Sequence, residues 1–289
     1  MNRALALLLI FPLAGCLQRP EAAPAVHYVV GSPYQAGGVW RYPEASFSYD
    51  ETGVAAVYPE RMPRFTADGE RYSADAFAAA HPTLQLPAIA RITNLENGRR
   101  IVVRVNDRGP ADPARILAVT PRVAHLLGFP ADGLARVRVR VLPAASEALA
   151  LSLPGGPQLA IAAAPVGKVS MSELSLLPGS VAAPGAARQK ANAPPARAVP
   201  VGEAPGRLST VPPASHALFV RTGIFTGQDY AALQAAALAR FGATEVPRYG
   251  SGTLRIEVRI GPIASISEAD AVLEQVIAAG VAGARLVVE

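Results

Sequence analysis

The fold of this chain is decided by the stretch AIARITNLENGRRIVVRV, residues 88–105. Two runs rich in β-branched residues, 88–95 and 99–105, flank the turn sequence Glu96-Asn97-Gly98. Asn-Gly between such runs is a strong hairpin pattern, because both residues tolerate the positive φ that a tight hairpin turn requires. The stretch therefore predicts two antiparallel strands in a domain that is mostly β.

The segments around this hairpin extend the β-rich domain. Arginine and valine alternate over residues 136–141, which predicts a strand with one wet and one buried face. Thr120, Pro121 and Gly128 suit the N-cap, the first position and the end of one short helix. A further helical turn is expected over residues 75–80, ended by Pro82. We therefore predict a small β-barrel with little helix over residues 50–144.

Residues 216–289 show a half-repeat of strand and helix. Strands are expected at 217–222, 244–249, 253–260 and 284–288, and helices at 229–241 and 267–279, each helix followed by glycine. This order predicts a split βαβ sandwich. The segment before it contains no Phe, Tyr or Trp between Phe129 and Phe219, and becomes dense in Pro, Ala and Gly. Such a composition cannot bury enough apolar surface to offset chain entropy, so 145–215 is predicted to be a long flexible, disordered linker.

The N-terminus has the pattern of an export signal. Arg3 precedes an apolar run, 4–13, which is shorter than the roughly 20 residues that span a bilayer. Leu13-Ala14-Gly15-Cys16 follows and resembles the lipobox of bacterial lipoproteins. We expect a signal peptide over 1–15, lipid on Cys16 as a membrane anchor, and an N-terminal arm over 16–49. The alternatives are an ordinary signal peptide with a chance cysteine, or a buried start to the fold.

Composition and charge distribution mainly indicate which classes of ligand the protein binds. The net charge is +5 and the pI is near 9.6, yet the basic residues are spread along the chain without a lysine-arginine block. That distribution does not favour nucleic acid. The sequence has no HExxH motif and no clustered Cys and His residues, so neither a metal site nor a cofactor is predicted.

Three side chains are candidates for chemistry: Glu70, His81 and Asp107. Cleavage of a glycosidic bond needs an acid to protonate the leaving oxygen, and a carboxyl group does this when its pKa is raised. We expect burial to raise the pKa of one carboxyl group and Arg108 to lower that of the other. Each residue also has a plain structural interpretation: a solvated turn, a satisfied buried histidine, and a turn-capping carboxylate.

The order of several motifs resembles the rare lipoprotein A family. These motifs are Pro33-Tyr34-Gln35, Gly38-Val39-Trp40, Glu51-Thr52-Gly53, Thr66-Ala67-Asp68-Gly69-Glu70, Ala78-Ala79-Ala80-His81 and Val105-Asn106-Asp107-Arg108-Gly109-Pro110. The resemblance covers residues 28–142. It implies a double-psi β-barrel that cleaves peptidoglycan glycan strands as a lytic transglycosylase, with Glu70, His81 and Asp107 catalytic. In that reaction the C6 hydroxyl of the sugar attacks its own anomeric carbon, leaving anhydro-muramoyl ends.

The C-terminal unit resembles a SPOR domain through Val220-Arg221-Thr222-Gly223-Ile224-Phe225 and Arg259-Ile260-Gly261-Pro262. This likeness implies binding of glycan stripped of stem peptides, which is abundant at the division septum, through Arg221, Phe225 and Arg259. Arg221, Ile224 and Glu257 replace residues usual in that family. By the same analogy, Leu17 after the lipobox implies sorting to the periplasmic face of the outer membrane.

Two other functional classes stay open. The barrel could be a non-catalytic wall-binding module like those of expansins, an alternative favoured by Ala118, which stands where the family usually has an aspartate. The chain could instead be a division-site scaffold in which the linker and the C-terminal unit matter most. Anhydro-muramoyl products would distinguish the enzyme from the first alternative.

Overall fold

The computed structural model describes residues 25–59, 63, 65–158, 205–213, 217–250 and 253–289. The predicted signal peptide 1–15 and Cys16 lie outside these residues, as does 159–204 of the predicted linker. None of the described helices combines the length and the apolar composition needed to cross a membrane.

The first unit follows a short hairpin of the N-terminal arm. That hairpin pairs β1 (Tyr34–Ala36) with β2 (Val39–Arg41). The unit itself contains β3 (Asp50–Val57), β4 (Ala78–Ala80), β5 (Ala88–Asn94), β6 (Arg99–Asp107), β7 (Leu117–Val119), α1 (Pro121–Leu127), β8 (Leu134–Val141) and α2 (Pro143–Ser152). The predicted hairpin is β5–β6, and the predicted short helix is α1, closed by Gly128 in the left-handed conformation.

Six of these strands close a barrel in the order β4, β7, β3, β8, β5, β6, with β6 pairing back to β4. The β3–β7 and β4–β6 pairs are parallel and the other four pairs are antiparallel. Alternate residues of β5, β6 and β8 point inward, and Ile92, Ile101 and Val139 are fully buried. Burial of such side chains is the main stabilising contribution to a closed barrel. The prediction of a double-psi β-barrel is confirmed.

Three local expectations differ from the structure. The turn after Ser73 ends at Phe77, and Ala78–Ala80 form a strand rather than helix. Alanine favours helix, but here the three residues complete the barrel by pairing with two strands, and this tertiary pairing outweighs the local preference.

The predicted linker, 145–215, includes residues at both ends that belong to folded elements. Helix α2 packs against β5 at its start, because the Ser146 hydroxyl accepts from the Ile89 N–H (2.9 Å) and donates to the Ile89 carbonyl (3.1 Å). At the other end, β9 (Leu208–Thr210) adds to the edge of the barrel by antiparallel pairing with β6. Neither contact has a local sequence pattern, since each depends on a partner far along the chain.

The C-terminal unit has the predicted split βαβ order. It consists of β10 (Leu218–Phe225), α3 (Gln228–Ala237), a 3₁₀ turn (Ala239–Phe241), β11 (Ala243–Gly250), β12 (Thr253–Ile263), α4 (Ile266–Ala278) and β13 (Arg285–Val288). Its four strands form one antiparallel sheet in the order β11, β12, β10, β13. Helix α4 is capped by Ser265, whose hydroxyl accepts from the Glu268 N–H (3.2 Å), and buries Leu273 and Val276. The predicted split βαβ arrangement of this unit is confirmed by its element order and sheet topology.

The C-terminal unit lies against the barrel through strand β13. The Val288 N–H donates to Oγ1 of Thr52 in β3 (3.0 Å). Arg115, 9% exposed, forms a two-pronged ion pair with Asp270 of α4, at 2.6 and 2.7 Å. Buried apolar side chains continue across this interface, with Val54 in the same cluster as the C-terminal core. Directional charged contacts and apolar burial together fix the orientation of the two units.

Candidate active site

The candidate site is built on a tight loop, residues 66–70, docked on the end of β6. The loop closes on itself, with the Thr66 N–H donating to the Glu70 carbonyl (2.8 Å). Gly69 has a φ of +87°, and a Cβ there would meet the carbonyl of Ala25 at 2.3 Å, so only glycine fits. The Asp68 N–H donates to the carbonyl of Asn106 (3.2 Å), which fixes the loop to the strand. This docking places Glu70 beside the end of β6.

The Glu70 carboxyl group is held from two directions. Its Oε1 lies 2.6 Å from Arg104 Nε, and its Oε2 accepts from the Asn106 amide at 2.6 Å. Burial raises the pKa of Glu70, and the nearby charge of Asp68 raises it further, against the lowering effects of Asn106 and Arg104. Glu70 lines a cavity of about 240 Å³, together with Tyr58, Tyr72 and Arg104. The group is therefore positioned, accessible and disposed to carry a proton.

Asp107 ends β6 and is 9% exposed. Its Oδ1 accepts two backbone N–H bonds, from Ala67 (2.9 Å) and from Arg108 (2.8 Å). The expectation that Arg108 would lower the pKa of one of the two carboxyl groups is wrong as a net effect. Burial raises the pKa of Asp107, and the opposing hydrogen bonds and the Arg108 charge do not outweigh it.

His81 is buried, 1% exposed, directly after β4. Its Nδ1 accepts from the N–H groups of Thr83 and Leu84, both at 3.1 Å, which assigns the proton of the neutral ring to Nε2. Burial, assisted by three nearby arginines, lowers the pKa of His81 to about 3. The ring is therefore a neutral hydrogen-bond donor rather than a proton carrier at physiological pH.

The structure brings the three predicted residues together only in part. Glu70 and Asp107 share the 66–70 loop as their support, and the His81 N–H donates to the Asp107 carbonyl (3.0 Å). His81, however, lines a second cavity of about 120 Å³ with Arg41 and Tyr49. Arg285 of the C-terminal unit also lines this second cavity. Glu70 and His81 thus line different cavities.

Sequence reasoning missed three polar residues of the site: Asp68, Arg104 and Asn106. Asp68 is fully buried, and its Oδ1 accepts from the Thr66 hydroxyl (2.7 Å) and the Glu70 N–H (3.1 Å). Arg104 lies on β6, two residues before Asn106, so both side chains fall on the strand face that Glu70 contacts. The alternation of Arg104 and Asn106 along one strand, just before Asp107, could have identified both residues from the sequence. Ala118 packs with Tyr58 and Ala80 in a small buried cluster.

The predicted glycan-binding residues of the C-terminal unit fall into two groups. Arg285, Arg221 and Arg259 are direct neighbours across β13, β10 and β12, forming an arginine row. Each is paired with an acid: Arg221 with Glu51 of the barrel (2.9 Å), Arg285 also with Glu51 (3.2 Å), and Arg259 with Glu289. Phe225 does not join this row, because it packs in the cluster of Ala231 beneath α3.

No group of three or more His, Cys, Asp or Glu side chains within the described ranges could hold a metal ion. Hydrogen-bonding carboxyl groups, an amide and a guanidinium make up the polar part of the site around Glu70. This arrangement is suited to proton transfer and hydrogen bonding to a neutral polar ligand.

Comparisons with known proteins give a match for each of the two folded units. The family described as "Lytic transglycolase" matches residues 50–139, which span the barrel strands from β3 to β8. In the structural comparison, the crystal structure of the RlpA SPOR domain from Pseudomonas aeruginosa matches with 25% sequence identity and a TM-score of 0.23. That match covers 24% of this chain and 96% of the other.

Relatives of known function include the "Endolytic peptidoglycan transglycosylase RlpA" of Rickettsia bellii, 38% identical over 42% of this chain. The chain spans only 55% of the length of that relative. The protein of the same name from Pseudomonas aeruginosa PAO1 is 32% identical over 86% of this chain and 75% of its own length. The likeness thus extends through both folded units, and the chain belongs to the RlpA family.

Proposed function

We propose that this protein is an endolytic peptidoglycan transglycosylase, with Glu70 as the general acid. The observation that carries the proposal is the Glu70 carboxyl group, half-buried on the wall of an open cavity and held by Arg104 and Asn106 beside the end of β6. A carboxyl group with a raised pKa in such a position is suited to protonate a glycosidic oxygen. The names of the relatives support this reaction class.

The proposed reaction needs no water and no cofactor. The Glu70 carboxyl proton passes to the glycosidic oxygen as the bond from that oxygen to C1 breaks. The C6 hydroxyl of the same sugar attacks C1, and its proton passes to the Glu70 carboxylate, which restores the acid. One carboxyl group therefore serves in both steps, unlike the paired carboxylates of hydrolases.

Asp107 is proposed as the charge-stabilising partner. Two backbone N–H groups donate to its Oδ1 and favour the ionised form, which opposes the larger effect of burial on the pKa of Asp107. An ionised carboxylate near C1 would stabilise positive charge that develops as the bond breaks. His81 is neutral and lines the second cavity, and its buried Nε2 has no hydrogen-bond partner among the described residues. It is proposed to orient a neighbouring sugar by donating from Nε2.

The C-terminal unit is proposed to bind glycan strands that have lost their stem peptides. Removal of the peptide leaves a lactyl carboxylate on each muramoyl residue, and the arginine row offers guanidinium groups that bind carboxylates well. We infer from the sequence that lipid on Cys16 tethers the protein to the outer membrane and that binding of such glycan concentrates it at the septum. A Cys16→Ser variant that still incorporated labelled palmitate would contradict the anchor.

Product chemistry tests the proposed reaction. Full-length protein in detergent is incubated with peptide-free glycan strands, and the products are analysed by mass spectrometry. Internal anhydro-muramoyl fragments are expected from the parent protein and not from Glu70→Gln. Binding of the strands without anhydro products would instead support a non-catalytic wall-binding barrel. Ala118 favours that alternative, because the family usually has an aspartate at this position.

A further inference from the structure

The strand that follows the linker reaches the wall of the Glu70 cavity. Residues 208–210 pair with 99–101 of β6, and the flanking Gly206 N–H donates to the Val102 carbonyl (2.8 Å). The Val211 N–H donates to the Gly98 carbonyl (2.9 Å), and Arg100 Nε donates to the Ser209 hydroxyl (2.8 Å). We call residues 205–213 the strap. Backbone pairing and a side-chain bond both fix its register on the barrel.

The first residues of the strap are fitted to an aromatic ring. Gly206 has a φ of +90°, and a Cβ there would lie 2.7 Å from the Phe77 ring, so the strap backbone sits directly on that ring. Pro205 then lines the cavity that contains Glu70. Part of the lining of this cavity therefore comes from a segment about a hundred residues further along the sequence than the strand it pairs with.

The cavity is lined by aromatic rings and by residues with buried polar atoms that lack a hydrogen-bond partner among the described residues. The Tyr58 and Tyr72 rings meet edge to face, with centroids 5.5 Å apart, and Phe77 lies alongside under Arg122. The hydroxyl of Tyr58 and Oδ1 of Asn106 are buried and receive no hydrogen bond from any group in the described part of the chain. A pyranose ring carries C–H faces that suit aromatic side chains and equatorial polar groups that suit such atoms.

We propose that this cavity is a saccharide subsite next to Glu70, closed on its outer side by the strap, for one N-acetylhexosamine ring of the glycan. The inference rests on the proposed function for the identity of the ligand. The strap serves as a specificity element, because its Pro205 lines the same cavity as Tyr72 and Glu70.

The test compares two alanine variants in the full-length protein. Gly206→Ala and Gly280→Ala both place alanine at positive φ, +90° and +97°, but only the first Cβ meets a ring. Trypsin cleavage after Arg207 reports whether the strap is docked, independently of activity. Binding of chitotetraose, measured by calorimetry, reports the subsite.

The Arg207 side chain is exposed, but the adjoining backbone is held by pairing with β6. Gly206→Ala is expected to release this backbone, speed trypsin cleavage after Arg207 and weaken chitotetraose binding roughly threefold to tenfold, with Gly280→Ala unchanged. Tyr72→Ala should weaken binding by a similar factor and raise KM for glycan strands more than it lowers kcat. Unchanged binding in Tyr72→Ala, or in Gly206→Ala with a released strap, would overturn the subsite. If the strap stays docked in Gly206→Ala, Tyr72→Ala decides the question.

The two proposals fail in different ways. A parent protein that binds chitotetraose through Tyr72 but yields no anhydro product would refute the reaction and leave the subsite standing. A parent protein that yields anhydro product, with KM and binding indifferent to Tyr72→Ala, would refute the subsite and leave the reaction standing.

Discussion

The barrel and the C-terminal sheet both bring acidic and basic side chains together, but the balance of charge differs. In the barrel, Asp68, Glu70 and Asp107 lie close to one another, and burial raises the pKa of each. In the C-terminal sheet the three arginines of the row share two glutamates, because Arg221 and Arg285 both pair with Glu51 while Arg259 pairs with Glu289. Buried acids whose pKa is raised favour proton transfer. Partly exposed arginines that pair with glutamates can exchange those partners for a carboxylate of a ligand.

This contrast predicts that the barrel carboxyl groups dominate catalysis without dominating stability. Glu70→Gln and Asp107→Asn should each slow anhydro-product formation by about 10²–10⁴-fold, the usual contribution of general acid–base catalysis. The melting temperature should change little in Asp107→Asn, because one amide oxygen can accept both backbone N–H bonds. Glu70→Gln keeps only one of the two contacts of its carboxyl group, with Arg104 or with Asn106, so a small decrease is expected there. A folded double variant that releases anhydro-muramoyl fragments at the parent rate would refute both assignments.

The interface between the two units offers the next largest effect. Arg115→Met leaves Asp270 without its buried guanidinium partner, and loss of a charged hydrogen-bonded pair should lower the free energy of unfolding by about 1.5–3 kcal/mol. Arg138→Met is the matched control, because Arg138 is 49% exposed and pairs with Asp50 on the surface, where such pairs contribute under about 1 kcal/mol. Equal losses in denaturant titrations of the two variants would show that the interface is not a buried contact.

The pH dependence of cleavage should move in opposite directions in two variants. A general acid must be protonated, so kcat/KM should fall as pH rises through the pKa of Glu70. Asn106→Ala removes a hydrogen bond that lowers this pKa, and the alkaline limb should shift to higher pH. Asp68→Asn removes a charge that raises it, and the limb should shift to lower pH.

The control for these shifts is Glu96→Gln, a carboxyl group in the β5–β6 turn that makes no contact with Glu70 among the described residues. Its pH profile should match that of the parent protein. Shifts of the same sign in Asn106→Ala and Asp68→Asn would mean that another group sets the alkaline limb.

The smallest effect is expected in the C-terminal sheet. Arg221→Ala and Arg259→Ala should each weaken co-sedimentation with peptide-free glycan by up to about fivefold. Each guanidinium is only partly exposed and already pairs with a glutamate, so one further ion pair with the ligand should contribute about 1 kcal/mol. Arg240→Ala is a suitable control, because Arg240 stacks on Phe241 outside the arginine row. Binding lost equally in all three variants would point to net charge rather than to the row.

Much of the fold follows from local sequence patterns. The Asn-Gly hairpin, helix α1 and the strand–helix half-repeat are all encoded by residues within one or two turns of each other, so their elements could be predicted. Glu70 and Asp107 are candidates from the sequence because short motifs around them resemble a known family, and the structure places both against the 66–70 loop. Asn106 and Arg104 were harder to identify, because their roles depend on which loop docks beside β6.

The sequence by itself determined the strands, the helices and the residue types of the site, because these depend on near neighbours in the chain. The tertiary structure alone decided that Ala78–Ala80 is a strand, that α2 and the strap belong to the barrel, and that His81 and Glu70 line separate cavities. It also decided that both carboxyl groups have raised pKa values. Burial and strand pairing join residues that are distant in sequence, so no local pattern records them.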